Sequence, residues 1–469
     1  MQKIRDVVVI GGGVVGSAIL RKLSFYKLGI ALIEKQPDLC EGASKANSGI
    51  VHTGFDAPPN SVEAKSLSLS NKLWPDILRD LKIPFRKIGA VMIATNEEEK
   101  KIIWDKIIPN AKANDVLVEW LEKDEIKEKN PAVKDDVLGG LSIPGEFVCD
   151  PFKVTRAFAE QAVLNGAKVY LGSGVKHLDY YDKHFTITLE NNKQIYSRYV
   201  INAAGVYSDE IARLIGDKSF TISPRKGQFI LTEEAIDISQ IILPVPTPKS
   251  KGKLISPIVF GGHLLGPTAE DHQDKEDRST TEKGLSEIID GCASLVPSVK
   301  DLFSIRQFAG VRAVCSENDF ILRASSKNKK FINASGIRST GLSASPGIAE
   351  LIARELQKSG LKLRKKTKII KELPQMYYEG NCEDADEVIC LCRSVTKAGV
   401  LNALQSPIAP KTIDGVKRRS GAAFGKCQGN NCIPKLIDIL EEHYGTEKPP
   451  MKGIQESYLY VGSDEQSDL

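Results

Sequence analysis

Four consecutive β-branched residues, Val7-Val8-Val9-Ile10, run straight into Gly11-Gly12-Gly13-Val14-Val15-Gly16. An unbroken apolar run of this kind suits a strand buried on both faces. Val15, Ala18, Ile19 and Leu23 then recur at helical spacing, and Ile30-Ala31-Leu32-Ile33 supplies a second strand that ends at Glu34. Strand, glycine turn, helix and strand within about 30 residues make a βαβ unit. In Gly11-x-Gly13-x-x-Gly16, Gly11 permits the tight turn, Gly13 lets backbone approach a pyrophosphate, and Gly16 lets helix and strand pack closely. The helix N-terminus offers N–H groups and partial positive charge to phosphates. Glu34 can accept hydrogen bonds from ribose hydroxyls. The pattern predicts a dinucleotide site without separating FAD from NAD.

The chain has 469 residues, long enough for roughly three domain-sized units. Its hydrophobic share of 41% excludes a disordered or collagen-like chain. With 64 Lys+Arg against 60 Asp+Glu the net charge is +4, which gives no reason to expect a nucleic-acid partner. No apolar run approaches the roughly 18 residues of a membrane span. A strand pattern begins within six residues of Met1, so no signal peptide is expected and a cytoplasmic location is, with peripheral attachment to the inner membrane as the alternative. Of the nine cysteines, four crowd into the last 80 residues, which favours metal chemistry over disulfides.

Helical stretches are expected at 96–108, 122–130, 151–166, 280–290 and 346–358. Strands are expected at 167–171, 184–189, 199–205 and 331–336, and mainly strands and turns across 220–332. Residues 358–371 carry seven basic residues and no acid, which reads as a solvated linker. The division expected is a first domain over 1–360, a basic linker over 361–379, a compact module over 380–446 and a frayed tail over 447–469.

After Glu34 comes Glu41-Gly42-Ala43-Ser44-Lys45-Ala46-Asn47-Ser48-Gly49-Ile50-Val51-His52-Thr53-Gly54, a small-residue loop able to bring backbone against a flat polar ring. The stretches GGGVVGSA, EGASKANSGIVHTGFD, NAAG and SGIRSTGLSASP, taken in order, resemble the FAD-dependent glycerol-3-phosphate dehydrogenase/oxidase family. That family belongs to the wider D-amino-acid-oxidase-like group, with glycine oxidase and L-2-hydroxyglutarate dehydrogenase. The resemblance spans residues 1 to about 360. It implies an α/β fold: a doubly wound, glutathione-reductase-like FAD domain with an interleaved antiparallel-sheet substrate domain built from about 75–150 and 220–310.

The resemblance also implies FAD held along Gly11, Gly13, Val15, Gly16, Glu34 and Lys35, with Ser44, Asn47 and Ser48 in the flavin-side loop. Val175 would meet the adenine, Ala204 and Gly205 the phosphates, and Gly341, Leu342 and Ser343 the pyrimidine end of the ring. His52 matches the family's catalytic base; a neutral imidazole titrates near working pH. Arg312 matches its substrate-anion arginine, whose guanidinium holds a phosphate or carboxylate bidentately, and Lys251 a second anion contact. The family often has Arg-Pro where this chain has Arg312-Ala313, which leaves substrate choice open.

Toward the C-terminus stand Cys390-x-Cys392 and, 35 residues on, Cys427 with Cys432. Four thiolates in two close pairs can enclose a soft metal centre; tetrahedral zinc and an iron–sulfur cluster both remain open on composition. CLCRSVTKAG…TIDGVKRRSGAAFGKCQGNNC resembles bacterioferritin-associated-ferredoxin-like [2Fe–2S] domains, which implies a small helical cluster domain. Lys417, Arg418, Arg419 and Lys426 would then offset the charge of the reduced cluster. Cys40, Cys149, Cys292, Cys315 and Cys382 lack metal spacing and read as buried small hydrophobes or bystanders. The other five histidines form no i,i+4 ligand pair.

Flavin with an iron–sulfur centre implies a dehydrogenase rather than a simple oxidase. The expected reaction is oxidation of sn-glycerol 3-phosphate to dihydroxyacetone phosphate, with electrons passing to a quinone, a partner subunit or a soluble carrier. L-2-hydroxyglutarate or another 2-hydroxy or amino acid is the alternative substrate. An electron-transfer subunit without turnover of its own is the alternative role.

Overall fold

A computed structural model describes residues 4–233, 235–247, 251–373 and 387–445. The fold is mixed α/β with a small helical C-terminal unit. Strand β1 (Arg5–Ile10) is buried from Val7 to Ile10 and lies between β2 (Ile30–Ile33) and the strand Gln194–Asn202, parallel to both. Lys168–Tyr170 extends the sheet beyond β2 and Phe331–Ser335 beyond 194–202, again parallel. A hairpin of Val175–Tyr181 and His184–Leu189 and the edge strand Ile321–Ala324 bring the sheet to eight strands. Helix α1 (Val14–Ser24) follows the glycine turn.

A second sheet of nine strands takes its members from 90–143 and 222–315. Its longest pairing, Ile222–Thr232 with Ser304–Cys315, is antiparallel. Ala90–Ala94 joins the two segments, antiparallel to Gly139–Ile143 and parallel to Ile241–Pro244, so the sheet is mixed at this one pairing. A third, three-stranded sheet pairs Ile50–Val51 and Phe85–Arg86 with Phe147–Cys149.

Helix α2 (Val62–Asp80) is absent from the sequence reading. Lys65, Ser66, Ser68, Ser70, Asn71 and Lys72 dilute its apolar face, and Pro75 reads as a break. It stands because Ser61 caps it, accepting from Ala64 N at 3.0 Å, and because Trp74 is buried against Phe147 and Phe158. It packs on the helix Gly341–Lys358, which starts five residues before its expected first residue. Pro346 removes the N–H that Leu342 O would have received, and Ser345 Oγ donates to that carbonyl instead at 2.9 Å.

The expectation of a solvated linker is corrected for residues 361–373. Lys27 N donates to Arg364 O, Lys366 N to Phe25 O and Leu373 N to Asp80 O, while Leu361 and Leu373 are buried in the core of the first unit. The leucines among the charges decide the matter, because each removes apolar area from water while Lys362, Lys365, Lys368 and Lys371 stay exposed. The remainder of that stretch, Cys382 and the tail from 447 lie outside the described residues.

The C-terminal unit pairs Val388–Cys390 with Val395–Thr396 and has three helices, Lys397–Leu404, Ile413–Ser420 and Ile433–Tyr444. Val400, Leu404, Val416, Leu436 and Leu440 form its own core.

Gly347 marks the closest approach of the two long helices: a Cβ there would overlap the Ser66 carbonyl, and Gly347 N donates to Ser70 Oγ at 2.8 Å. Gly347→Ala should destabilise the protein by about 1–3 kcal/mol, read as a lower melting temperature. An unchanged melting temperature would mean the helices can part without loss.

Candidate active site

A cavity of about 480 Å3 is walled by residues of both large sheets. Its floor is the glycine turn. Gly11 has φ +111°, and a Cβ there would collide with Ala203 O; a Cβ on Gly16 would collide with Gly11 O. Gly11, Gly13, Val14 and Val15 face the cavity, while Gly16 lies behind them as the packing glycine. Gly13, the N-cap residue of α1, has no side chain to cap it, so this helix end can face an anion. Ser44 Oγ accepts from Val14 N at 2.9 Å, which ties the small-residue loop to the turn. Asn47 folds that loop, donating to Ser44 O at 2.7 Å and accepting from Gly49 N at 2.9 Å.

Glu34 accepts from Gly12 N at 2.6 Å and Gln36 N at 2.9 Å. Burial pushes its pKa up, against those two bonds. Lys35 reaches Glu276 at 3.1 Å and stands 3.7 Å over the Tyr207 ring. Ser48, Val175, Ala204, Gly205, Gly341 and Leu342 also line the cavity. Gly341 and Leu342 open their long helix, so a second helix N-terminus meets the same space. Ser343 is set back from the wall: its Oγ accepts from His52 N at 2.8 Å and orients the histidine's backbone.

His52 reaches the cavity through strand register. Val51 pairs with Phe147 in the three-stranded sheet, which sets His52 opposite Glu146. His52 Nδ1 lies 2.7 Å from Glu146 Oε2, and the other carboxylate oxygen accepts from Thr53 N at 2.8 Å and Thr53 Oγ1 at 3.1 Å. Glu146 has no solvent exposure. Burial alone would lower the His52 pKa; the adjacent carboxylate outweighs it and the net shift is upward. Asp56 pairs with Lys251 at 2.6 Å. Burial works to raise the Asp56 pKa, but Lys251 holds it below the usual carboxylate value.

Arg312 projects from the strand Ser304–Cys315 beside Gly227, and its Nη2 donates to Thr268 O at 2.6 Å. Burial, then Arg225, push its pKa down to about 10, so it stays charged at neutral pH. Its buried Nε has no hydrogen-bond partner among the described residues. His52, Lys251 and Arg312 thus share one cavity with the glycine turn. Sequence reasoning missed Glu146, Asp56, Arg338 and Thr155, which meet the same space directly or through His52. The one available signal for Glu146 was a lone acid in the apolar stretch Leu141–Cys149.

In the C-terminal unit, Cys392 Sγ and Cys427 Sγ stand 3.6 Å apart and the Cys390 and Cys432 thiols are hydrogen-bonded. Each contact joins one cysteine of the first pair to one of the second. Among the described residues no group of three or more His, Cys, Asp and Glu side chains meets the geometry of a single-ion site. The donor set is nonetheless all sulfur, with no carboxylate or imidazole among it, and that chemistry suits an iron–sulfur cluster. Arg418 and Arg419 do not serve a cluster's charge as expected; both are buried against carboxylates, chiefly Asp38 of the first unit. Cys40, Cys149, Cys292 and Cys315 are buried; burial lifts the Cys40 and Cys292 thiols to about 12.

Residues 6–355 match the family described as FAD dependent oxidoreductase, and residues 388–442 match the BFD-like [2Fe-2S] binding domain. The chain is 33% identical to a glycerol 3-phosphate dehydrogenase of Caloramator mitchellensis, over 97% of this chain and 98% of that protein. It is also 33% identical to a glycerol 3-phosphate oxidase of Mycoplasma genitalium, over 77% of this chain and 96% of the oxidase. The FAD-bound L-α-glycerophosphate oxidase of Mycoplasma pneumoniae superposes with a TM-score of 0.75 at 31% identity, over 80% of this chain and all (100%) of the oxidase. FAD and a [2Fe–2S] cluster are the cofactors of a chain built from these two units. No helix among the described residues is long and apolar enough to cross a membrane.

The upward shift of His52 links this pair to stability. A histidine whose folded pKa exceeds its unfolded value of about 6.5 adds stability below that value and loses it as pH rises through the folded one. Glu146→Gln should therefore lower the melting temperature more at about pH 6 than at about pH 9. An equal drop at both would show that the imidazolium gains nothing from Glu146.

Proposed function

The chain belongs to the FAD dependent oxidoreductase family, and from that premise we propose that it is a dehydrogenase oxidising sn-glycerol 3-phosphate to dihydroxyacetone phosphate. The observation that carries this reading is a histidine fixed through Nδ1 by a buried carboxylate, in one cavity with Lys251 and Arg312. Oxidation of the secondary alcohol removes a hydride from carbon and a proton from oxygen. FAD, when bound, supplies the two-electron acceptor, and the cluster a one-electron outlet that an oxidase has no need of.

His52 accepts the hydroxyl proton at Nε2, because Nδ1 is committed to Glu146. The carboxylate holds the tautomer and stabilises the imidazolium as it forms. Thr53 keeps Glu146 in place. Arg312 and Lys251 bind the phosphate, and Gly341 with Leu342 present a helix N-terminus to the flavin ring. Gly11, Gly13, Val15, Gly16, Glu34, Lys35, Ser44, Asn47, Ser48, Val175, Ala204, Gly205 and Ser343 hold or frame FAD. Cys390, Cys392, Cys427 and Cys432 ligate the cluster.

In the same reading the eight-stranded sheet is the glutathione-reductase-like FAD domain and the nine-stranded sheet the substrate domain; the first domain, expected to end at 360, takes in residues 361–373 as well, and the cluster module lies within 380–446. Electrons leave to a quinone, a partner subunit or a soluble carrier, and the protein works in the cytoplasm or against the inner membrane.

The test is the visible spectrum of the anaerobic protein. Bleaching of the flavin bands by sn-glycerol 3-phosphate and not by L-2-hydroxyglutarate supports the reading. The reverse moves the protein to the 2-hydroxy acid, and bleaching by neither favours an electron-transfer subunit. His52→Ala should slow flavin bleaching about 10²–10⁴-fold with FAD retained, and the wild-type rate should rise with pH as His52 loses its proton. Cys427→Ser should spare flavin bleaching and abolish the cluster bands; surviving bands would remove Cys427 as a ligand.

A further inference from the structure

Six charged side chains meet where the C-terminal unit touches the first. Asp38, Glu41 and Lys45 come from the loop after β2, and Asp414, Arg418 and Arg419 from the helix Ile413–Ser420. Arg419 holds Asp38 in a bidentate fork, Nη1 to Oδ2 at 2.5 Å and Nη2 to Oδ1 at 2.8 Å, and its Nη2 also donates to Ile408 O at 2.7 Å. Arg418 bonds Asp38, Glu41 and Asp414, and Lys45 bonds Glu41 and Asp414. Three acids face three bases, so the group is neutral. All but Lys45 are buried: Arg419 is 1% exposed, Asp38 1%, Arg418 3%, Asp414 3% and Glu41 7%.

Burying so many charges is poor economy if stability were the only gain, since desolvation offsets most of the Coulomb attraction. What such a network does supply is register: an ion in low dielectric tolerates one partner geometry and penalises every other. Here the register joins two particular pieces of chain. Lys45 follows Ser44, which is bonded to the glycine turn, and precedes Ala46, Asn47 and Ser48, all on the cavity wall. On the other side, Phe424 stacks on Phe152 with ring centroids 5.3 Å apart, and Arg306 Nη1 donates to Gln428 Oε1 at 2.8 Å. Phe424 adjoins Gly425, on which a Cβ would overlap Cys392, and Gln428 adjoins Cys427. Phe152 is one helical turn before Thr155, itself on the cavity wall. The docked face therefore carries the Cys392–Cys427 edge on one side and the flavin cavity on the other, with the charge network beside them.

We propose that this six-charge network is a positioning latch, which sets the cluster unit on the flavin loop so that electrons cross directly between the two redox sites of one chain. Arg418 and Arg419 are positioning residues; neither lines the flavin cavity. The inference rests on the dehydrogenase reading for its purpose, and on the two cofactors for its chemistry. In the step concerned one electron leaves the two-electron-reduced flavin and reduces one ferric site of the cluster; the flavin proton goes to solvent. The second electron follows once a one-electron acceptor has reoxidised the cluster.

The experiment is anaerobic stopped-flow on full-length protein carrying both cofactors, comparing wild type with Arg418→Gln/Arg419→Gln. Flavin bleaching and cluster bleaching are followed separately after mixing with sn-glycerol 3-phosphate. Flavin bleaching should stay within about twofold of wild type, whereas cluster bleaching should slow by about tenfold or more. Hydrogen exchange supplies a readout independent of turnover: amides of 39–46 and 413–420 should exchange faster, while those of 433–444, inside the unit's own core, should not change. Cluster bleaching that keeps pace with the flavin overturns the proposal, and so does an equal slowing of both. Faster exchange throughout 433–444, or loss of iron, means the unit has unfolded; Asp414→Asn, isosteric and outside the fork to Asp38, then decides by the same two readouts, with a slowing of about threefold expected. If wild-type flavin is not bleached by the substrate, the dehydrogenase reading has failed and the latch has not. Flavin photoreduced with EDTA then serves as the electron source in the same comparison.

Discussion

A charge taken out of water must find a partner of fixed geometry, and the segment from Asp38 to Asp56 is where this chain meets that demand most often. Asp38 and Glu41 answer Arg419 and Arg418, His52 answers Glu146, and Asp56 answers Lys251. Between them Ser44 and Asn47 satisfy backbone groups of the glycine turn and of the loop itself. The segment has almost no regular structure, only the two-residue strand Ile50–Val51. Its shape comes instead from these pairings, each anchored to a different element. A small-residue sequence makes this possible, because Gly42, Ala43, Ser44 and Ala46 add little bulk of their own; a Cβ on Gly310 would already overlap Ala46.

What was legible in the sequence follows from this. The βαβ start could be read because its determinants are local: a buried strand announces itself by composition, and glycine at Gly11 and Gly16 by the collisions any Cβ would cause. The two cysteine pairs could be read for the same reason. Glu146 could not, since its meaning depends on the register of strands almost 100 residues apart in sequence. Helix α2 stayed hidden because its stability comes from Trp74 and from packing on Gly341–Lys358 rather than from propensity. The basic stretch misled in the opposite direction: its lysines are visible in any reading, whereas the burial of Leu361 and Leu373 depends on a surface formed elsewhere.

Arg418 and Arg419 illustrate how charge alone misleads about role. Beside four cysteines, a run of basic residues reads naturally as compensation for a cluster. The helix Ile413–Ser420 turns both guanidiniums away to the first unit, where Asp38 can accept a fork from one and a single bond from the other. Burial is the deciding quantity: a guanidinium that is 1% exposed has given up its hydration and needs carboxylates in direct contact, which thiolates shared with a metal would not provide.

The two cations of the cavity are unequal for a related reason. Lys251 already has Asp56 at 2.6 Å, so an incoming anion meets a pair whose net charge is near zero and must compete with the carboxylate. Among the described residues Arg312 has a backbone carbonyl on Nη2 and a buried Nε without a partner, while the nearby Arg225 is paired with Asp271 at 2.6 Å. An anion docking there supplies the hydrogen bond the guanidinium lacks without first displacing a carboxylate. In the proposed reading Arg312 therefore dominates recognition of the phosphate. Lys251 acts nearer His52, where its charge and that of Asp56 oppose each other in setting how readily the imidazole takes the proton.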